Sequence, residues 1–234
     1  MTISRVLVVA AHPDDEIIGC GGTVARHVEE GAEVTSLILG EGVTSRDRQR
    51  DIQSRNQELE ALRFATKMAN TTLGVSRVIT RDLPDNRFDS VPLLEIVKLV
   101  EEVKVEVNPD VVYTHHGGDV NVDHQRTFRS VLTAFRPLPG ERTAAIYAFE
   151  TTSSTEWAAP FVSERFIPNV YVDISATLET KLKALSSYAS ELREYPHPRS
   201  LKGFELIARC AGMECGVDAA ERFALIREVR RSKP

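Results

Sequence analysis

Residues 5–16 read RVLVVAAHPDDE, an apolar run that passes directly into a cluster of polar side chains. An apolar run of this length predicts a buried strand over residues 5–11. His12, Asp14 and Asp15 then lie at the turn that leaves the carboxyl end of the strand. Open α/β proteins bind their ligands at such strand ends. The stretch therefore predicts both an α/β fold and a functional site beside the first strand.

The rest of the chain alternates strand-like and helix-like segments. Further strands are predicted over residues 33–39, 76–80, 110–114, 145–150 and 169–174, and helices over 16–30, 46–70, 92–107, 123–135, 176–193 and a final segment ending near 211. A polar loop is expected over residues 151–164. This alternation predicts an α/β fold with a mostly parallel sheet and helices on both faces. No linker interrupts the pattern, so we expect residues 1–234 to form one domain with a C-terminal elaboration.

Composition excludes several classes of protein. The chain has 234 residues and a net charge of -5, which argues against nucleic-acid binding. No apolar run approaches the length of a membrane span, and the N-terminal sequence lacks a signal-peptide pattern. The three cysteines, Cys20, Cys210 and Cys215, form no Cys-x-x-Cys pair and are typical of buried thiols in a reducing compartment. We therefore expect a cytoplasmic protein.

A second polar cluster, HHGGDVNVDH over residues 115–124, follows the strand predicted at 110–114. Right-handed crossovers bring the carboxyl ends of parallel strands to one edge of a sheet, so the two clusters should meet. Because Asp14 and Asp15 point in different directions, one carboxylate can join His12 on a metal while the other stays free. His124 is the third candidate ligand, and two histidines with one carboxylate are typical of a catalytic zinc site with an open position. Asp123, next to His124, could orient a ligand or a catalytic group by a hydrogen bond without binding the metal itself.

Structural interpretations of the same residues remain open at this stage. Asp14 could simply cap the first helix. His115 and His116 could be polar residues that are satisfied at a strand end. Gly19, Gly21 and Gly22 lie within the predicted helix and miss the spacing of a dinucleotide fingerprint, which favours close helix packing.

The motifs resemble those of a known family. Ala10-Ala11-His12-Pro13-Asp14-Asp15-Glu16 with Gly19-Cys20-Gly21-Gly22-Thr23, Leu83-Pro84-Asp85, and Asp119-Val120-Asn121-Val122-Asp123-His124 resemble the motifs of the PIG-L/LmbE-like de-N-acetylases. The resemblance implies a Rossmann-like fold, a zinc ion (Zn²⁺) and hydrolysis of an N-acetyl group from an amino sugar or its conjugate. It implies zinc binding by His12, Asp15 and His124, with Asp14 as general base. By analogy with the family, a homo-oligomer, trimer or hexamer, is also expected.

One position departs from the family pattern. Many relatives carry a histidine three residues before the last ligand, where this chain has Asn121. An asparagine amide can donate a hydrogen bond to an oxyanion but cannot act as a cationic acid. We therefore consider His197, held between Pro196 and Pro198, as an additional catalytic donor, against the alternative of a rigid structural turn. Candidate substrate-binding residues are Arg46, which could bind a phosphate, Asp85, and Arg199, which could hold an anionic group.

The function that these features favour is a zinc-dependent hydrolase that deacetylates an N-acetylated amino sugar or its nucleotide or lipid conjugate. A non-haem iron(II) oxygenase uses the same ligand types, two histidines and one carboxylate. Such oxygenases are normally built on all-β scaffolds, which the alternating pattern argues against. A metal-binding protein without turnover is a further alternative, although the free carboxylate of Asp14 speaks against it.

Overall fold

The computed structural model describes residues 3–161 and 165–232. The strands of this part of the chain are β1 (Arg5–Ala10), β2 (Glu33–Gly40), β3 (Arg77–Leu83), β4 (Val111–His115), β5 (Ala145–Phe149), β6 (Val170–Asp173) and β7 (Ala220–Glu228). Its α-helices are α1 (Asp15–Glu29), α2 (Asn56–Leu73), α3 (Leu93–Val107), α4 (Val122–Ala134), α5 (Leu178–Leu185) and α6 (Leu201–Cys215). The predicted loop over 151–164 lies partly outside the described residues.

One sheet organises the fold, with the strand order β3-β2-β1-β4-β5-β7-β6. Strands β1 to β5 pair in parallel, whereas β7 runs antiparallel to both β5 and β6. Strands β1 and β4 are neighbours, with Val9 opposite Thr114. The polar clusters that follow these two strands therefore start side by side, and the prediction of a mostly parallel α/β sheet is confirmed.

Both faces of the sheet are covered because successive residues of a strand point to opposite sides. Val6 and Val8 of β1 pack into a core with α1, α2 and α5. Leu7 and Val9 pack on the other side with α3 and α4. None of the described helices combines the length and apolarity that a bilayer crossing requires.

Of the three cysteines expected to be buried thiols only Cys20 is buried, since Cys210 and Cys215 are exposed. Three predictions of secondary structure were also wrong in detail. Helix α2 begins at Asn56 rather than at residue 46, and the charged residues before it form loop ion pairs instead, such as Arg50 with Glu41 and Arg55 with Asp47. Helix α5 ends at Leu185 rather than near residue 193. Strand β7 was not predicted, because charged residues interrupt its apolar pattern and its partners β5 and β6 are distant in sequence.

Strand β7 also stabilises an interruption in α1, the helix that follows the first motif. Cys20 interrupts α1 with φ −148° and ψ 21°, which leaves helical amides and a carbonyl without their usual partners. The Glu221 carboxylate of β7 accepts hydrogen bonds from the Gly22 and Thr23 amides, at 2.9 and 2.7 Å. The Lys181 ammonium of α5 donates to the Ile18 carbonyl at 2.9 Å and to Glu221 at 2.6 Å. The buried ion pair of Lys181 and Glu221 therefore replaces the backbone hydrogen bonds that α1 loses at Cys20.

Replacing Lys181 by methionine should cost about 3–5 kcal/mol of unfolding free energy, because the Glu221 charge would stay buried without its partner. Urea denaturation measures this loss directly. Lys98→Met is the matched control, since Lys98 pairs with Glu101 on the exposed surface of α3. Its denaturation midpoint should be nearly unchanged, because exposed pairs contribute little. Equal midpoints for the two variants would contradict a structural role of the buried pair.

Candidate metal centre

The turn after β1 separates the two aspartates of the first motif. Asp14 has φ 103°, a conformation that residues other than glycine rarely adopt. Its side chain makes no capping hydrogen bond to α1, although its carbonyl accepts from the Ile17 and Ile18 amides. Asp15 instead turns back and accepts a hydrogen bond from the His12 amide at 2.8 Å. The alternative that Asp14 serves as a side-chain helix cap is therefore wrong, and its carboxylate is left to face the site.

The second motif forms the start of α4. The Asn121 side chain caps this helix, because its Oδ1 accepts from the Asp123 amide at 2.8 Å. The Asp119 carboxylate accepts from the Asn121 amide at 2.8 Å and holds the preceding turn. Asp123 and His124 are consequently fixed in the first turn of α4 and are almost fully buried.

His12, Asp15 and His124 come together at the edge between β1 and β4. Their ligand atoms all lie within 4.8 Å of one another. Oδ2 of Asp15 is 3.2 Å from Nδ1 of His12 and 3.3 Å from Nε2 of His124. Within the described residues, Oδ1 of Asp15 and Nε2 of His124 are buried and make no hydrogen bond. Buried polar atoms without partners are costly, so this donor set fits a bound cation.

Carboxylates behind the two histidines orient their rings. Nε2 of His12 lies 2.9 Å from Oδ2 of Asp123, whose other oxygen accepts from the Phe88 amide. Nδ1 of His124 lies 3.1 Å from Oδ1 of Asp119. Histidines that donate to such carboxylates keep the other ring nitrogen free as a metal ligand. The free nitrogens are then Nδ1 of His12 and Nε2 of His124, the two that face Asp15.

Asp119 is a residue to which sequence reasoning gave no role. Besides His124, its carboxylate accepts hydrogen bonds from the hydroxyls of Ser154 and Thr155. Burial opposes its ionisation, but these bonds and His124 hold the pKa of Asp119 at about 2. The serine and threonine come from the loop after β5, and no local pattern links them to residue 119.

A second grouping, His12 with Asp85 and Asp123, is also compact. Its carboxylates, however, are already engaged. Asp85 accepts from the Ser45 amide at 3.0 Å and from Nδ2 of Asn86 at 3.1 Å, and Asp123 is bonded as described above. The cluster with unpaired atoms is therefore the better candidate for a metal.

His115 lies beside the cluster but is not available as a ligand. Its Nε2 accepts a hydrogen bond from the Ala11 amide at 2.9 Å, and its Nδ1 lies 3.1 Å from Oγ1 of Thr151. Burial and the neighbouring His124 hold the pKa of His115 well below its usual range. The ring stacks on His124 with centroids 4.0 Å apart. The geometry thus agrees with a satisfied polar residue at a strand end.

The carboxyl of Asp14 is buried beside Arg199, and its pKa is shifted towards neutrality. Burial raises the pKa of its carboxyl to about 8, although the Arg199 guanidinium opposes this shift. Nη1 of Arg199 donates to Oδ2 of Asp14 at 3.1 Å, and its Nε donates to Oγ of Ser153 at 2.7 Å. A group with a pKa near neutrality is well matched to proton transfer under physiological conditions.

A cavity of about 190 Å³ opens above the cluster. The predicted site residues that line it are His12, Asp14, Arg46, Asp85, Asn121, His124 and Arg199. Asn86, Ser153, Ser154 and Glu191 also line it and were missed by the sequence analysis, because they lie in loops without a motif. Arg46 is held by Glu191 at 2.8 Å, so the β2–α2 connection meets the segment after α5 across the cavity.

Comparison with known proteins shows the family to which this chain belongs. The family model described as PIG-L, GlcNAc-PI de-N-acetylase, matches residues 7–135. That match covers more than half of the chain and includes both motifs. The chain belongs to the PIG-L family.

A relative and two solved structures illustrate the range of similar proteins. A 1D-myo-inositol 2-acetamido-2-deoxy-alpha-D-glucopyranoside deacetylase from Rhodococcus erythropolis is 30% identical over 86% of this chain and 71% of its own length. The N,N'-diacetylchitobiose deacetylase from Pyrococcus horikoshii superposes with a TM-score of 0.75 at 21% identity, covering 96% of this chain and 84% of that one. GalB, a 4-carboxy-2-hydroxymuconate hydratase from Pseudomonas putida, superposes with a TM-score of 0.76 at 19% identity, covering 99% and 100%. The two structural likenesses show the fold alone, since this fold supports more than one reaction.

In this PIG-L family chain, His197 does not line the cavity. Its Nδ1 accepts a hydrogen bond from the Arg199 amide at 3.0 Å, which closes a turn. Its ring meets the edge of Trp157 at a centroid distance of 6.3 Å. The turn instead presents the Arg199 side chain to Asp14. The catalytic role of His197 stays a prediction. Its position in this turn, outside the cavity, favours the alternative of a structural role.

Proposed function

We propose that the protein is a zinc-dependent hydrolase that removes the acetyl group from an N-acetylated amino sugar or its conjugate. The observation that carries this proposal is that Oδ1 of Asp15 and Nε2 of His124 are buried without hydrogen bonds beside His12, at the base of a polar cavity. Membership of the PIG-L family supports the reaction class. The relative from Rhodococcus erythropolis is named as a deacetylase of a 2-acetamido-2-deoxy-glucopyranoside, which supports the substrate class.

The proposed zinc ligands are Nδ1 of His12, one Asp15 oxygen and Nε2 of His124. Zinc, when bound, supplies a Lewis acid that polarises the acetyl carbonyl and lowers the pKa of a water molecule. Two histidines and one carboxylate leave a coordination position open for this purpose. The alternative of an iron oxygenase is not favoured, because those ligands here lie on a mostly parallel α/β sheet.

Asp14 is the proposed general base, taking a proton from the attacking water on its carboxylate and passing it to the leaving amine. The bond from Arg199 holds Oδ2 of Asp14 at the wall of the cavity. Asn121 keeps one amide hydrogen beyond the bond that it donates to Asn86, and this hydrogen could reach an oxyanion. Arg46, Asp85 and Arg199 are the proposed contacts to the sugar.

Acetate release from a panel of substrates tests the proposal. The panel should contain N-acetylglucosamine, diacetylchitobiose, an N-acetylglucosaminyl inositol and a nucleotide-linked N-acetylglucosamine. We expect release from at least one of them, loss of release after chelation, and recovery when zinc is returned. Zinc-loaded protein that releases no acetate from any of them, or chelated protein that works unchanged, would argue against this function.

A further inference from the structure

We infer that Glu16 is a positioning residue that fixes the backbone of Asp14 and thereby the direction of its carboxylate. The inference rests on the proposed role of Asp14 as general base. It concerns a residue that follows the proposed ligand Asp15 in the sequence but does not line the cavity. Glu16 is only 1% exposed, so its carboxylate cannot serve as a surface charge.

Glu16 reaches back across the turn to the residue before the helix. Its Oε2 accepts a hydrogen bond from the Asp14 amide at 3.0 Å. A glutamate at the third helical position makes this kind of bond as one half of a capping box, and Glu16 makes it from the second position of α1. The other half would be a bond from the N-cap side chain to the helix, and Asp14 does not make it. The backbone of Asp14 is therefore capped by Glu16, while its side chain remains free for chemistry.

The other oxygen of Glu16 is anchored in the core. Oε1 accepts from Nδ2 of Asn70 on α2 at 2.9 Å and from the Tyr188 hydroxyl at 2.7 Å. Asn70 is fixed in turn by Oγ of Ser36 on β2, at 2.8 Å from its Oδ1. All four side chains are buried. The carboxylate thus connects the turn at Asp14 to α2 and to the segment that follows α5.

The conformation of Asp14 explains why such an anchor is needed. A positive φ is costly for a residue with a Cβ and persists only where the surroundings enforce it. At φ 103° the carboxylate points to Arg199 and the cavity rather than to the amides of α1. Releasing the amide of Asp14 would let this residue relax towards an ordinary N-cap conformation, with its carboxylate on the helix.

Glu16→Gln tests this anchor selectively. A glutamine side chain has one acceptor oxygen, which should stay with the two donors Asn70 and Tyr188. Its NH₂ group would then face the Asp14 amide and abolish that one bond. Since displacement of a catalytic group by about 1 Å can cost about a hundredfold in rate, we expect kcat to fall about ten- to a hundredfold. KM and zinc content should stay unchanged.

The same substitution made in Asp14→Asn protein distinguishes a positioning role of Glu16 from general damage to the fold. In Asp14→Asn protein the base is already absent, so adding Glu16→Gln should change kcat less than twofold. Glu30→Gln, the same substitution at the exposed end of the α1 segment, is the matched control and should behave as the unmodified protein. Tyr188→Phe removes one hydrogen bond to Glu16 without altering Glu16 itself. It should lower kcat in the unmodified protein but not in the Asp14→Asn background. This variant keeps the test usable if Glu16→Gln folds poorly.

A crystal structure of Glu16→Gln provides a readout that does not depend on the substrate. We expect φ of residue 14 to leave the positive region, or its carboxylate to leave Arg199. An unchanged Asp14 would overturn the inference, as would an equal loss of kcat in both backgrounds or a loss of zinc. If Asp14 were displaced in Glu16→Gln but neither the unmodified protein nor any variant released acetate, the proposed function would be overturned. The inference that Glu16 positions Asp14 would still stand.

Discussion

Replacing Asp14 by asparagine should lower kcat by about 10²–10⁴-fold, the usual contribution of a positioned general base. Asparagine keeps the size of the side chain, but its amide cannot take a proton. Asn also tolerates a positive φ better than most residues, so the turn should persist. Zinc content should be unaffected, because Asp14 is not among the proposed ligands. Acetate release under saturating substrate, together with elemental analysis, measures both quantities on one sample.

Asp15→Asn is the matched comparison, since it makes the same change one residue later. It should weaken metal binding, because an amide oxygen is a poorer zinc ligand than a carboxylate. Added zinc should therefore restore part of the activity of Asp15→Asn and none of that of Asp14→Asn. If the two phenotypes were exchanged, the base and the ligand would have been assigned in the wrong order.

His124→Ala should lose most of the bound zinc and, with it, essentially all activity. The variant removes one of two imidazole ligands and leaves Asp15 with a single histidine in the cluster. The domain should remain folded, because α4 is still capped by Asn121 and packed against α3. Elemental analysis and circular dichroism of the purified variant check these two expectations.

His197→Ala is the control for this loss, because the histidine lies outside the cavity and should leave zinc content unchanged. Its kcat is informative in another way. A strong decrease with normal zinc and melting temperature would support the oxyanion donor considered from the sequence, whereas a near-normal kcat would assign His197 to the turn. Full zinc occupancy in His124→Ala would show that the proposed ligand set is wrong.

The positions of the two motifs could be predicted because they depend on local and topological rules. The run before His12 is apolar without interruption, as expected for a strand that is buried on both faces. Parallel pairing then places the residues after β1 and β4 at one edge, which is why His12 and His124 meet although more than a hundred residues separate them. The existence of most helices and strands followed from the same periodic patterns.

Element boundaries and the unpredicted strand depended on non-local contacts. Residues 46–55 have the composition of a charged helix, yet Arg50 pairs with Glu41 in the preceding loop, Arg55 pairs with Asp47 in the same segment, and the helix starts later. Strand β7 is stabilised by pairing with β5 and β6, and its Glu221 is buried against a break in α1. Neither the interruption of α1 at Cys20 nor the pairing of Glu221 with Lys181 leaves a periodic signal in the sequence.

The amino-acid sequence by itself determined the order of strands and helices from β1 to α6 and the residue types that gather at one edge of the sheet. Those properties follow from hydrophobic periodicity and from the handedness of crossovers, which act along the chain. Only the tertiary structure decided which histidine nitrogens face Asp15, that Arg199 meets Asp14 from 185 residues away, and that Glu16 accepts a hydrogen bond from the Asp14 amide. These features depend on hydrogen bonds between side chains of different elements, whose partners are chosen by packing in three dimensions rather than by spacing in the chain.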